Sequence, residues 1–304
     1  MNKKELAIVL GATVNMTFAL ANVLMGIKKH LTIQKFDVIV YHKDIQGNEK
    51  IILSSIIPCE FKDYDLESSD ISHHSLNRYS LLAYSRYECF DLLNEYQKVL
   101  WLDIDVFIQK DLSNLLSIDI EDVALWKNDI HKNGFNFKQP IDNYDMESNY
   151  YNTGIILFSD KMTDFSKMKD WCYKKTKEYG KHLVCADQGI INLVFQEFKV
   201  KITDLDEIFN CHPEKTIVND AVIIHPYAEE KFWNYYYNFK EWNNNYNNWL
   251  KLGGTPYKGK RANILDKVLI KFKKKYMPAA PDPLRHTGKF IKYIYNHNFK
   301  KDNP

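Results

Sequence analysis

What this chain lacks narrows it before any motif is read. Its five cysteines, Cys59, Cys89, Cys172, Cys185 and Cys211, form no C-x-x-C pair, and an odd number cannot all pair internally. The expectation is a reducing compartment, with neither a disulfide framework nor a cysteine-bound zinc. Long apolar runs are also missing: the stretch after M-N-K-K is interrupted by Glu5, Asn15 and Asn22, and nothing approaches the ~18 uninterrupted apolar residues of a membrane span. That first segment therefore reads as a strand and helix of the fold rather than a secretory signal. Internal repeats are absent, and so is a positive body. The net charge is +2, yet from Lys258 onward thirteen Lys/Arg face three Asp, a surplus of +10 that leaves −8 for the rest. An acidic body with a basic tail is unlike a nucleic-acid binder, whose positive charge lines the binding face.

What is present, 304 residues at 45% apolar, 14% aromatic and 26% charged, suits one large globular domain with an appendage. Its organising stretch is Lys98 to Ile108, K-V-L-W-L-D-I-D-V-F-I. Val99 to Leu102 has the apolar, β-prone character of a strand covered on both faces. In an extended chain Asp103 and Asp105 share one face while Ile104 points to the other. Two carboxylates held that close repel unless a cation sits between them, and hard oxygens suit Mg²⁺ or Mn²⁺. Open α/β sheets bind ligands at the carboxyl ends of their strands, where this pair falls. A lone D-x-D equally suits a capped turn, and an apolar strand ending in D-x-D also begins the haloacid-dehalogenase-type phosphatases.

In chain order, Leu6 to Gly11 reads as a strand. Thr13, Val14 and Asn15 turn into a helical pattern reaching Lys29, with Asn15 either capping the helix or meeting a nucleotide. Phe36 to Tyr41 and Lys50 to Ile57 read as further strands. Arg78 to Asn94 reads as one helix that carries Arg86 on the apolar face of Leu82, Cys89, Phe90 and Leu93, so this cation needs a buried partner. After a short helix at 111–116, a strand at 123–126 ends just before Asp129, and 130–149 reads as a mobile loop over the site. Tyr150 to Ser159 has Asn152 just before a small residue and an apolar strand, and Trp171 to Tyr179 reads as a helix. Asp187 is placed either to cap the helix that follows it or to serve the site with Gln188. His225 follows a buried strand at Ala221 to Ile224 and could complete an Asp/Asp/His metal set. Lys231 is either solvated beside Glu229 and Glu230 or a phosphate contact.

The order and separation of A-Y-S-R-Y, K-V-L-W-L-D-I-D-V, Y-Y-N-T-G-I-I-L, A-D-Q-G-I-I-N and I-I-H-P-Y-A-E-E-K-F-W resemble the retaining glycosyltransferases of family 8, a group that includes glycogenin and bacterial lipopolysaccharide galactosyl- and glucosyltransferases. The resemblance runs from the first strand to about Trp233. It implies an α/β fold: a single Rossmann-like nucleotide-sugar-binding domain with a mixed central sheet (GT-A type) over 1–255, followed by a basic aromatic tail over 256–304. It further implies Mn²⁺, or Mg²⁺, on Asp103, Asp105 and His225, with the donor diphosphate on Lys231. Donor contacts would come from Thr13, Asn15, Arg86, Asp103, Ile104, Asp129, Asn152, Asp187 and Gln188, the catalytic pair being Asp187 and Gln188. Three departures stand out. Thr13, Val14 and Asn15 lack the acidic residue that often holds uracil, Gly189 replaces an aspartate, and Ala228 replaces a glycine.

The expected reaction is metal-dependent transfer of galactose or glucose from a UDP-sugar to a glycan acceptor, with retention. Front-face attack is favoured because the amide of Gln188 is a poor nucleophile. Against the phosphatase alternative, about a hundred residues precede Asp103 and no G-D-x-x-x-D-like motif follows. A non-enzymatic sugar-binding protein is the third class. The tail alternates basic and apolar residues, as in K-V-L-I-K-F-K-K-K-Y. It suggests peripheral attachment to an anionic membrane, at the cytoplasmic face of the inner membrane.

Overall fold

The computed structural model describes residues 3–261 except 33–34, 72–78, 228–229, 235–236 and 238. Its strands are β1 (Lys4–Thr13), β2 (Asp37–Lys43), β3 (Glu60–Asp63), β4 (Tyr96–Leu102), β5 (Phe107–Ile108), β6 (Val123–Lys132), β7 (Asn149–Ser159), β8 (Ile202–Asp204) and β9 (Ile223–Ile224). The helices are α1 (Thr17–His30), α2 (Gly47–Ile56), α3 (Glu88–Leu92), α4 (Ser113–Leu116), α5 (Phe165–Tyr179), α6 (Gln188–Glu197) and α7 (Lys240–Lys251).

Seven strands form one sheet in the order β3-β2-β1-β4-β7-β6-β8. The half from β3 to β4 is parallel, β7 runs antiparallel to both β4 and β6, and β8 is parallel to β6. Alternation along the central strands divides the core into two layers, as a sheet covered on both faces requires. Ile8, Leu10, Leu100 and Leu102 pack with α1 and α7 on one side; Val9, Val99 and Trp101 pack with α3 and α6 on the other. Gly11 belongs to this packing, because a Cβ there would lie 2.8 Å from the Leu82 carbonyl oxygen and 2.9 Å from Ser85 Oγ. Without a side chain, β1 lets the 81–87 segment lie directly on it.

Several sequence expectations change. Of the strand expected over 50–57, residues 50–56 belong to α2: its buried positions Glu49, Leu53 and Ile56 keep a helical period while Ile51 faces out. The edge strand β3 follows instead. The single helix expected over 78–94 is a 3-10 segment at Leu81–Tyr87 running into the short α3. The 130–149 loop is largely tied down. β6 continues to Lys132, 133–136 is a 3-10 turn, and Asp145 N–H donates to Gln196 Oε1 on α6 at 2.9 Å. β8 and α7 carried no expectation. α7 buries Trp242, Tyr246 and Trp249 in the α1 layer, and the Trp249 indole donates to Thr255 O at 2.8 Å. Packing therefore continues through Tyr257, whose N–H donates to the Tyr246 hydroxyl. Of the tail expected over 256–304, residues 262–304 lie outside the described residues, as does Ala228. Among the described residues no helix is long and apolar enough to cross a membrane.

Candidate active site

The acidic pair arises from a turn rather than from strand alternation. β4 ends at Leu102, Asp103 N–H is held by Gly154 O at 2.8 Å, and Ile104 and Asp105 turn the chain into β5. β5 then pairs antiparallel with β9, Phe107 opposite Ile224, so the residue after β9, His225, comes back beside Asp105. Its Nε2 lies 3.2 Å from Asp105 Oδ1 and 3.9 Å from Asp103 Oδ2. One ligand atom from each of the three residues falls within 4.8 Å of the others.

The neighbouring strand makes room for that ring. Because β7 runs antiparallel to β4, its early residues reach the carboxyl end of β4, with Ile155 opposite Leu102. A Cβ on Gly154 would sit 2.1 Å from His225 Cε1. Asn152 Oδ1 accepts from Gly154 N–H at 3.0 Å and from Asn210 Nδ2 at 2.9 Å, and Asn210 Oδ1 lies 2.8 Å from His225 Nδ1.

Arg86 is the buried cation anticipated from its helix face, and it has two carboxylate partners. Its Nη2 donates to Asp103 Oδ1 at 2.9 Å, its Nε is paired with Asp187 Oδ2 at 2.8 Å, and its Nη1 donates to Thr153 O at 2.6 Å. The guanidinium also lies over the Trp101 ring, whose Nε1 donates to the same Asp103 oxygen at 2.8 Å. Asp187 stands at the N-terminus of α6 but makes no capping hydrogen bond. Its carboxylate serves Arg86 instead. Gln188 is pinned at both ends of its amide: Oε1 accepts from Thr153 N–H at 3.1 Å, while Nε2 donates to Asn136 Oδ1 at 3.1 Å and to the Tyr150 hydroxyl.

Charge follows from this geometry. Burial pushes the Asp187 carboxyl up to about 7, with Asp103 adding to the rise and Arg86 opposing it. Burial raises Asp103 as well, against the pull of Arg86, and Asp105 adds to the rise. For Asp105 burial works in the same direction but is overcome by Lys231 and His225, leaving its carboxyl below the usual range. Lys231 Nζ donates to Asp105 Oδ2 at 2.5 Å and also to Pro226 O, so it is neither solvated nor bound only to its acidic neighbours.

Of the sequence candidates, Asp103, Asp105, His225, Lys231, Arg86, Asp187, Gln188 and Asn152 are joined by this network. Thr13 and Ile104 are half-buried, and Asn15 is exposed in a 3-10 turn without a side-chain cap at its start. Asp129 stands apart: it lies within β6 rather than beyond its end, 86% of its side chain is open, and it pairs with Lys127 at 3.7 Å. Sequence reasoning missed Thr153, Asn136, Tyr150 and Asn210. Asn152 and Gly154 within N-T-G were the nearest signal to the first, but isolated asparagines carry no periodicity that would flag them.

The three candidate ligands fit a hard divalent cation. Two are carboxylates and the third an imidazole, and Asp105 Oδ1 is buried with no hydrogen-bond donor among the described residues. The fold is that of GT-A-type glycosyltransferases. It superposes on the WbbM bifunctional glycosyltransferase apo structure with a TM-score of 0.61 at 19% identity, covering 83% of this chain and 52% of that one. The galactosyltransferase LgtC in complex with donor and acceptor sugar analogs gives 0.56 at 16% identity, with 81% and 94% covered. The glycosyltransferase GlyE of Streptococcus pneumoniae TIGR4 gives 0.52 at 18%, with 85% and 66% covered. The chain thus spans about half of the WbbM chain and nearly all of LgtC. No curated protein sequence matches it. The family model for glycosyl transferase family 8 matches residues 7–236, a span holding every element of the bonded network from Arg86 to Lys231. This chain belongs to glycosyl transferase family 8.

Proposed function

We propose that the protein transfers a hexose, galactose or glucose, from a UDP-sugar to a glycan acceptor with retention at the anomeric carbon, in the synthesis of lipopolysaccharide, lipooligosaccharide or another surface glycan. The observation that supports this reading most is the convergence of Asp103, Asp105 and His225 beside the pinned Gln188. A Mn²⁺ or Mg²⁺ ion bound by these three would supply Lewis-acid stabilisation of the departing diphosphate. Lys231 would contribute positive charge at the same phosphates, and its bond to Asp105 marks it as a cation already drawn to the site. Arg86 holds Asp103 and Asp187 in place and offsets their charge.

Front-face attack suits the side chains better than double displacement. Gln188 Oε1 is occupied by Thr153, and the Asp187 carboxylate by Arg86, so neither is presented as a nucleophile. Gln188 would then orient the donor sugar, with Asn152, Thr13, Asn15, Ile104 and Asp129 contributing further donor contacts. The acceptor hydroxyl would pass its proton toward the leaving phosphate. The basic tail, whose charge of +10 from Lys258 onward is read from composition alone, would hold the enzyme at the cytoplasmic face of an anionic membrane, near a lipid-linked acceptor.

The test is release of UDP from a panel of UDP-sugars with Mn²⁺ and with EDTA, followed by the anomeric configuration of the product. Metal-dependent release from UDP-galactose or UDP-glucose with retained configuration is expected. Release unaffected by EDTA, or an inverted product, would contradict the reading. Liposome co-sedimentation of the full chain and of a chain truncated at 261 should differ in favour of the full chain.

A further inference from the structure

Asn210 has none of the roles assigned above, yet it is fully enclosed and both ends of its amide are committed. A buried amide is costly unless its hydrogen bonds are remade inside the protein, so the partners it has chosen say what it does. Its backbone is set by the ladder that carries His225: Cys211 N–H donates to Ile223 O at 3.0 Å and His225 N–H to Cys211 O at 2.8 Å. Asn210 and His225 are therefore held side by side.

The direction of each bond follows from one donor that cannot be reversed. Gly154 N–H is 3.0 Å from Asn152, so the atom it meets is the Asn152 oxygen. That oxygen also faces Asn210 at 2.9 Å, and two oxygens cannot share a hydrogen bond, so Asn210 presents Nδ2 there. The other end of Asn210 is then its oxygen, 2.8 Å from His225 Nδ1. Nδ1 must carry the proton. In a neutral imidazole this leaves Nε2 as a bare lone pair, and Nε2 is the atom that faces Asp105 Oδ1 at 3.2 Å and Asp103 Oδ2 at 3.9 Å. With that neutral ring, three acceptors face one another, and a cation between them would satisfy all three.

We infer that Asn210, itself oriented by Asn152 and the Gly154 backbone, is a positioning residue that locks His225 in the Nδ1–H tautomer and turns Nε2 toward the metal; this rests on the metal reading of the proposed function. The relay also accounts for N-T-G as a unit. Asn152 begins the relay, Thr153 binds Gln188 and Arg86, and Gly154 supplies both the fixed donor and the space for the ring.

Mn²⁺ binding to the full chain without donor, read by electron paramagnetic resonance, tests the inference. Asn210→Leu, which removes the acceptor at similar volume, should weaken Mn²⁺ binding about ten- to a hundredfold. Asn210→Asp keeps an acceptor for Nδ1–H but sets its second oxygen against Asn152 Oδ1, so its loss should be clearly smaller than that of Asn210→Leu without reaching wild-type affinity. Wild-type affinity in Asn210→Leu, or equal loss in both variants, would overturn the role of Asn210 while leaving the metal site standing. Failure of the wild-type chain to bind Mn²⁺ would overturn the metal reading itself. Ring ¹⁵N shifts of His225 in the unmutated, metal-free protein at alkaline pH decide the tautomer without any variant: Nδ1–H is expected, and Nε2–H would overturn the inference.

Discussion

Asp187 and Arg86 show how a single buried pair ties stability to pH. The Asp187 carboxyl titrates near 7 in the fold against 3.8 in its absence, because burial outweighs the help of Arg86. A carboxyl raised on folding contributes stability that is complete below the unfolded value and lost as pH climbs through the folded one. In EDTA, wild type should therefore lose stability relative to Asp187→Asn between about pH 4 and 7, by up to ~1.4 kcal/mol per pH unit, measured by urea unfolding. A flat difference across that window would contradict the assignment. Gly154 makes a second residue-level case, since a methyl group there would overlap the His225 ring. Gly154→Ala should cut Mn²⁺ affinity by about ten- to a hundredfold, read by calorimetry. The three residues that converge as the candidate metal site were singled out in the sequence because carboxylates spaced by one at a strand's end and a histidine after an apolar strand could share a cation. Their means of convergence was not legible. The turn at Ile104 and Asp105 and the β5–β9 pairing depend on two-residue strands too short to leave a pattern.

Among the elements, those with apolar runs or strict period were legible: β1, β2, β4, β7, α1 and α6 all fall where the pattern placed them. α2 was misread because I-I-L-S-S-I-I is β-prone in composition, while the burial of Glu49, Leu53 and Ile56 follows the helical period. α7 escaped notice because its five asparagines favour turns and caps over helix interiors, although Trp242, Tyr246 and Trp249 fall on one face. Tertiary packing decides that helix. Trp249 is wholly buried in the core layer that also holds the edge-on Phe18–Tyr246 pair, and its indole N–H is satisfied by Thr255. Trp249→Ala should destabilise the protein by about 3–5 kcal/mol, measured by chemical denaturation, and should leave the residual Mn²⁺ affinity of the folded fraction unchanged. A loss below about 1 kcal/mol would mean that α7 is not part of the core.

For the whole molecule, the mixed sheet explains why the site is where it is. Parallel β1 and β4 direct their carboxyl ends to one edge, antiparallel β7 returns N-T-G to that edge, and β9 delivers His225 through β5. A ligand crevice at such an edge is the general arrangement of open α/β sheets. An ion held between the turn after β4 and the residue that follows β9 should also stabilise the fold as a whole, by ~2.7 kcal/mol at a hundredfold excess over its dissociation constant. Calorimetry with Mn²⁺ against EDTA should show the corresponding rise in melting temperature.

Asp103, Asp105 and His225 should bind one divalent ion together, which the stoichiometry of Mn²⁺ on wild type, Asp105→Asn and His225→Ala reads out. One ion per wild-type chain, with binding strongly weakened in both variants, is the predicted result. No specific binding to wild type, or affinity unchanged in either variant, would contradict it.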